Sequence, residues 1–158
     1  MMGNRSRLRR AATTARRTSI QVEDIDHALS RLPRTDLANV DRFLRRFGDE
    51  FCWQPGVGWM VLRDGSWTAE GAADRVAIAV HVTVRAIQDE AAQLYAMRPR
   101  STCDAIDRRF QQVWRSAANR LQAWGYKSEM HSRMRTVETL ARAYLTCPSL
   151  RSAAGRNS

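Results

Sequence analysis

Apolar positions recur at helical spacing through most of this chain and alternate like strands in one short stretch. From Val22 to Leu32, Ile25, Leu29 and Leu32 share one face. Asp24 and Asp26 sit near the start, where acids favour the helix dipole, and Pro33 ends the segment. Thr35 is placed to cap a second helix, Asp36–Phe47, with Gly48 as its stop. Its apolar stripe is Leu37, Val40, Leu44 and Phe47, and Arg42, Arg45 and Arg46 share the other face.

The pattern changes at Phe51. Phe51–Gln54, Trp59–Arg63 and Ser66–Thr68, separated by Pro55-Gly56-Val57-Gly58 and by Asp64-Gly65, read as a small β-meander. Asp-Gly between two such runs is a strong hairpin signal, because both turn positions need positive φ. Trp53, Trp59 and Trp67 are either a stacking platform for bases or, more commonly for such residues, the aromatics that lock a small sheet onto a helical core.

Val76, Ile78, Val80, Val82 and Val84 alternate as a strand would, yet Val76, Val80, Val84, Ile87, Ala91, Leu94 and Tyr95 also fit one helical face. No turn residue interrupts the run, so length favours a helix over 73–96. Ser101 and Asp104 open the next helix as a capping-box variant. Its expected core stripe is Ile106, Phe110, Val113, Trp114, Ala117, Leu121 and Trp124, with Gly125 as its end. Arg108 and Arg115 fall outside, with Arg109 and Arg120 beside them. Ser128 is expected to cap a last helix, with Met130, Met134, Val137, Ala141 and Tyr144 inward and Pro148 as its stop. The predicted fold is mainly α (α+β): a helical bundle with a small antiparallel β-hairpin or meander inserted at about 51–68.

Length and composition bound this reading. At 158 residues and 44% hydrophobic, the chain suits one domain with a real core, expected over 20–148. The uncharged run Val76–Val84 is far too short to span a bilayer, and no apolar segment follows the basic N-terminus as a secretory signal would require. Cys52, Cys103 and Cys147 are widely spaced with no C-x-x-C pair, which predicts neither a disulfide framework nor a zinc site. Taken together, these features predict a soluble cytoplasmic protein in a reducing compartment.

Charge sharpens the picture. The formal net charge is +10, and most of the excess lies at the ends. Residues 1–19 carry Arg5, Arg7, Arg9, Arg10, Arg16 and Arg17 with no acid; residues 149–158 carry Arg151 and Arg156, also with none. With almost no bulky apolar residue in the first nineteen positions, that arm should be disordered when free, and the basic tail likewise. Such arms attract polyanions, most commonly nucleic acid. Lys127 is the only lysine, and GC-rich coding alone would favour arginine in this way; it would not remove the acids from residues 1–19.

No catalytic constellation emerges. Pro55-Gly56-Val57-Gly58 lacks the Lys and following helix of a phosphate loop. Asp24 and Asp26 point nearly opposite ways on a helix, and His27, His81 and His131 show no ligand spacing. Cys103 at a helix start has no His or Asn partner nearby in sequence. The chain therefore reads as a non-enzyme without metal or cofactor.

The segment Thr35-Asp36-Leu37-Ala38-Asn39, then Gly58-Trp59, Asp64-Gly65 and Trp67, with the last helix around Leu140-Ala141-Arg142-Ala143, resembles a known module. It is similar to the opening segment of the helicase portion of phage and plasmid primase-helicases, relatives of the poxvirus primase-helicase. The resemblance covers about 35–148 and includes neither the helicase ATPase nor the primase, so ATP hydrolysis and unwinding are not implied. What it does imply is a module that links primase to helicase and helps engage template DNA.

Two functions are therefore expected. One is a nucleic-acid-binding replication accessory of a phage, prophage or other mobile element such as a plasmid, acting on single- or double-stranded polymer. Its contacts would come from Arg5, Arg7, Arg9, Arg10, Arg16, Arg17, Arg42, Arg45, Arg46, Arg108 and Arg115. The other is a protein-protein interaction module that docks on a replication or host defence nucleoprotein complex, as subunit or inhibitor.

Overall fold

A computed structural model of the chain describes residues 25–97 and 105–147. The Arg-rich arm, the Ser101/Asp104 cap, Cys103 and the basic tail lie outside the described residues. The fold is mainly α with one small antiparallel sheet. Residues 25–29 are helical (α1). Then follow α2 (Asp36–Phe47), β1 (Phe51–Gln54), β2 (Gly58–Arg63), β3 (Ser66–Thr68), α3 (Ala72–Ala96), α4 (Ala105–Ser128) and α5 (His131–Tyr144). Contacts divide the described residues into two units: 25–32 with 87–97 and 105–122, and 33–86 with 123–147.

The second unit holds the sheet and most of the core. Thr35 caps α2 as expected, its hydroxyl accepting from the Ala38 N–H at 3.2 Å. Strand order is β1-β2-β3, antiparallel throughout. Asp64 and Gly65 both have positive φ, 48° and 78°, which the β2–β3 hairpin requires. The pleat sends Phe51, Trp53, Trp59 and Val61 to one face, where Phe51 lies opposite Val61 and Trp53 opposite Trp59. That face packs with Val40 and Phe43 of α2, Val76 and Val80 of α3, and Val137 and Ala141 of α5.

Trp53 and Trp59 are scaffold. Their rings meet edge to face at 5.4 Å, and Trp59 is 5% exposed. The Trp59 indole donates to Glu138 at 3.2 Å; Arg142 pairs with the same carboxylate oxygen at 2.7 Å and lies 4.5 Å over the Trp53 ring. A sheet this small is not stable alone; these contacts fasten it to α5.

The helical reading of 73–96 holds, with Val76, Val80, Val84, Ile87, Ala91 and Leu94 buried. Ile78 and Val82, the alternating partners that suggested a strand, face outward. Other expectations change. Leu37 is exposed, because α2 turns Ala38, Asn39, Arg42 and Phe43 inward. Phe110 and Val113 of α4 are exposed, while Ala118 and Leu121 are buried. Gly125 does not stop α4, since its φ is not positive, and the helix runs on to Ser128. Ser128 caps nothing: it is wholly buried and accepts a hydrogen bond from Asn39. Met130 and Tyr144, expected inward on α5, are exposed.

The cysteine expectation is also corrected. Cys52 on β1 and Cys147 form a disulfide, with Cα atoms 5.8 Å apart and a sequence separation of 95. Spacing along the chain could not reveal the pair. The residues after α5 come alongside β1, where Trp53 N–H donates to Leu145 C=O at 2.7 Å and Cys147 N–H donates to Trp53 C=O at 2.9 Å. The inference of a reducing compartment from dispersed cysteines loses its premise. No helix among the described residues is long and apolar enough to cross a membrane.

Two stability outcomes follow. Trp59→Ala removes a buried ring and the Glu138 contact, so urea unfolding should show a loss of about 3–5 kcal/mol; an unchanged midpoint would return the tryptophan to the surface. Reducing Cys52–Cys147 releases a long loop in the unfolded chain, and thermal melts with and without dithiothreitol should correspond to a stability difference of about 4–5 kcal/mol. Identical melts would show that the pair carries no stability.

Candidate nucleic-acid interface

The arginines singled out from sequence separate into distinct environments. Arg42 is not a surface residue at all: its relative exposure is 0%. Its guanidinium donates to Pro33 C=O at 3.3 Å and lies 3.5 Å from Asn39 Oδ1. The α2 face that was to present three arginines instead turns inward at Arg42, because Asn39 and Phe43 beside it are buried as well. Arg45 is exposed and Arg46 half-buried, so α2 offers a shorter basic edge than its sequence suggested. Arg5, Arg7, Arg9, Arg10, Arg16 and Arg17 lie outside the described residues.

Arg108 and Arg115 are exposed on α4, as predicted, together with Arg109 and Arg120. Among the described residues, none of the four is paired with an acid. From 108 to 128 this helix has no Asp or Glu; its one acid, Asp107, precedes the four arginines in the first turn. At helical period, Arg108 and Arg115 lie in line, while Arg109 and Arg120 form a second row along the same side. Gln112, Ser116 and Asn119 stand between the rows and add neutral hydrogen-bonding groups. The result is a broad cationic face with free donors, suited to a run of phosphates.

The tryptophans do not extend that face. Trp53 and Trp59 are engaged with each other and with α5, which removes them as a stacking platform. Trp67 is 38% exposed and belongs to the opposite side of the sheet. There it lines an apolar groove of about 510 Å³ with Met60, Tyr144, Cys52 and Cys147. Among the described residues, no group of three His, Cys, Asp or Glu side chains is placed to hold a metal ion. His27 is engaged with Arg31 at 3.1 Å, and His81 and His131 are exposed.

Sequence reasoning missed the roles of Asn39 and of the α4 amides. The only signal available was the absence of acids across 108–122, which is visible in the sequence once that helix is considered alone. Compared with known proteins, the chain matches no family model, no curated protein and no solved structure.

The two kinds of arginine should respond differently to substitution. Arg42→Gln removes a fully buried guanidinium with its hydrogen bonds to Pro33 C=O and Asn39 and should lower unfolding stability by about 2 kcal/mol. The double variant Arg108→Gln, Arg115→Gln should leave the melting temperature unchanged; a large fall would mean that these arginines have structural partners.

Proposed function

We propose that this chain is a non-enzymatic nucleic-acid-binding accessory of replication in a phage, prophage or plasmid, acting in the cytoplasm. The observation that carries the reading is the stretch 108–128 of α4, which has no Asp or Glu and on which Arg108, Arg109, Arg115 and Arg120 are exposed and, among the described residues, unpaired. Four uncompensated guanidinium groups on one helix attract a polyanion at long range and hold it by charge-assisted hydrogen bonds on contact. The Arg-rich segment 1–19 supplies six more cations, and Arg45 and Arg46 a further pair. The likeness of Thr35–Asn39 and of the Gly58–Trp67 hairpin to primase-helicases supports the replication setting, without the helicase ATPase or the primase. Among the described residues no group is placed to hold a zinc ion and no helix-turn-helix is recognised, and contact with the polymer is expected through its backbone rather than by reading a duplex sequence.

A second reading, a docking module for a replication or host defence nucleoprotein complex, is favoured by one observation. The groove beneath the outer side of the sheet is apolar and open, with Trp67 and Tyr144 among its walls. Aromatics in such a setting are common anchors of protein interfaces. The two readings are compatible in one subunit.

Fluorescence anisotropy with labelled DNA and RNA over a salt series tests the first reading. Binding should weaken linearly in log–log form, with a slope of roughly 0.7–0.9 per phosphate contact. Replacing Arg108 and Arg115 by Gln should flatten the slope by roughly 1.5, and replacing the six arm arginines should flatten it further. No binding to any polymer at low salt overturns the proposal and leaves the docking reading.

A further inference from the structure

The α3 and α4 segments of the first unit enclose a pocket of about 260 Å³. Ala91 and Ala118, both 3% exposed, form its floor. Alanines on both helices leave space that larger side chains would fill. Around that space stand the amides of Gln88, Asn119 and Gln122 and the ring of Tyr95. Drug-sized ligands occupy sites of roughly 300–1,000 Å³; this one is smaller and suits a single planar ring system.

The lining is chemically specific. Gln88 Nε2 donates to the Gln122 carbonyl at 3.4 Å, while Gln88 Oε1 is buried with no hydrogen-bond partner. Buried acceptors are nearly always satisfied in native proteins. A rotation of that amide toward an incoming N–H would satisfy this one. Asn and Gln side chains present a donor and an acceptor side by side, matching the edge of a nucleobase. Tyr95, 39% exposed, stands at the rim.

Position along α4 ties the pocket to the cationic face. Arg108, Arg115, Asn119 and Gln122 stand at i, i+7, i+11 and i+14, which keeps them on one side of the helix. Arg115 is one turn from Asn119, about 6 Å along the axis, the scale that separates a nucleotide's base from its own phosphate. Asp89, exposed on α3 but not part of the lining, disfavours phosphates on that helix and leaves α4 as their track.

We propose that this pocket receives one unpaired nucleobase of a single-stranded nucleic acid whose phosphates follow Arg115 and Arg108. The inference rests on the nucleic-acid reading above and adds strandedness and a base contact to it. A base within a duplex has its edge paired and its faces stacked, so it enters such a site only if flipped out. A single strand presents the base without that cost.

The test uses the full-length chain and four labelled probes of equal length: single-stranded DNA, single-stranded RNA, duplex DNA, and single strands in which every base is removed. At matched salt, at least one natural single strand should bind about tenfold tighter than the duplex and than its abasic counterpart, within the range one stacked base supplies. Asn119→Ala with Gln122→Ala, both at exposed positions, should remove most of that advantage while leaving the salt slope and the melting temperature unchanged. Equal, salt-dependent binding to natural, abasic and duplex probes overturns the base pocket and leaves the charge-based reading standing. Failure of every probe to bind at low salt overturns both.

Discussion

The arrangement of α2, α4 and α5 depends on the side-chain amide of Asn39, which is 0% exposed. Its Nδ2 donates to Ser128 Oγ at 3.0 Å, and its Oδ1 accepts from the Trp124 indole at 3.1 Å. Both partners lie at the end of α4, more than eighty positions away in sequence. In a dry interior an unmet amide is expensive, so the three groups hold one another in a single geometry. With the end of α4 held there, only Glu129 and Met130 separate it from α5. Arg133 on the first turn of α5 then reaches Asp36 at 2.7 Å and covers the Trp124 ring at 4.5 Å. Further along α5, Glu138 and Arg142 meet the two sheet tryptophans, and the chain beyond runs beside β1 to the disulfide.

Arginine serves two opposite purposes in this protein. Arg42 is taken out of water, and its fork of donors is bonded to the Pro33 carbonyl and the Asn39 amide oxygen. Arg108 and Arg115 keep their charge in solvent with no acid to meet it. Screening limits what such exposed charges contribute to folding, so they add little to stability.

The residues from which the sequence suggested a primase-helicase module have structural duties of their own. Thr35 caps α2, Asp36 pairs with α5 and Asn39 bridges to α4. Trp59 fastens the sheet, and Asp64-Gly65 turns the hairpin. These named residues therefore build the scaffold; none of them belongs to the cationic face on the part of α4 between 108 and 122.

What the sequence determined by itself was local. The bounds of α2, the strands of the meander, the Asp64-Gly65 turn and the α3 helix follow from capping, side-chain period and turn chemistry, all of which act within a few residues. The exposure of Arg108 and Arg115 was legible for the same reason. Only the tertiary structure decided which side of α2 turns inward, that Ser128 serves Asn39 instead of capping α5, that Cys52 meets Cys147, and that Ala91 and Ala118 leave a pocket between helices. Each of these depends on a partner tens of residues away. Burial and pairing are properties of two segments brought together, and the pattern along one segment does not contain its partner.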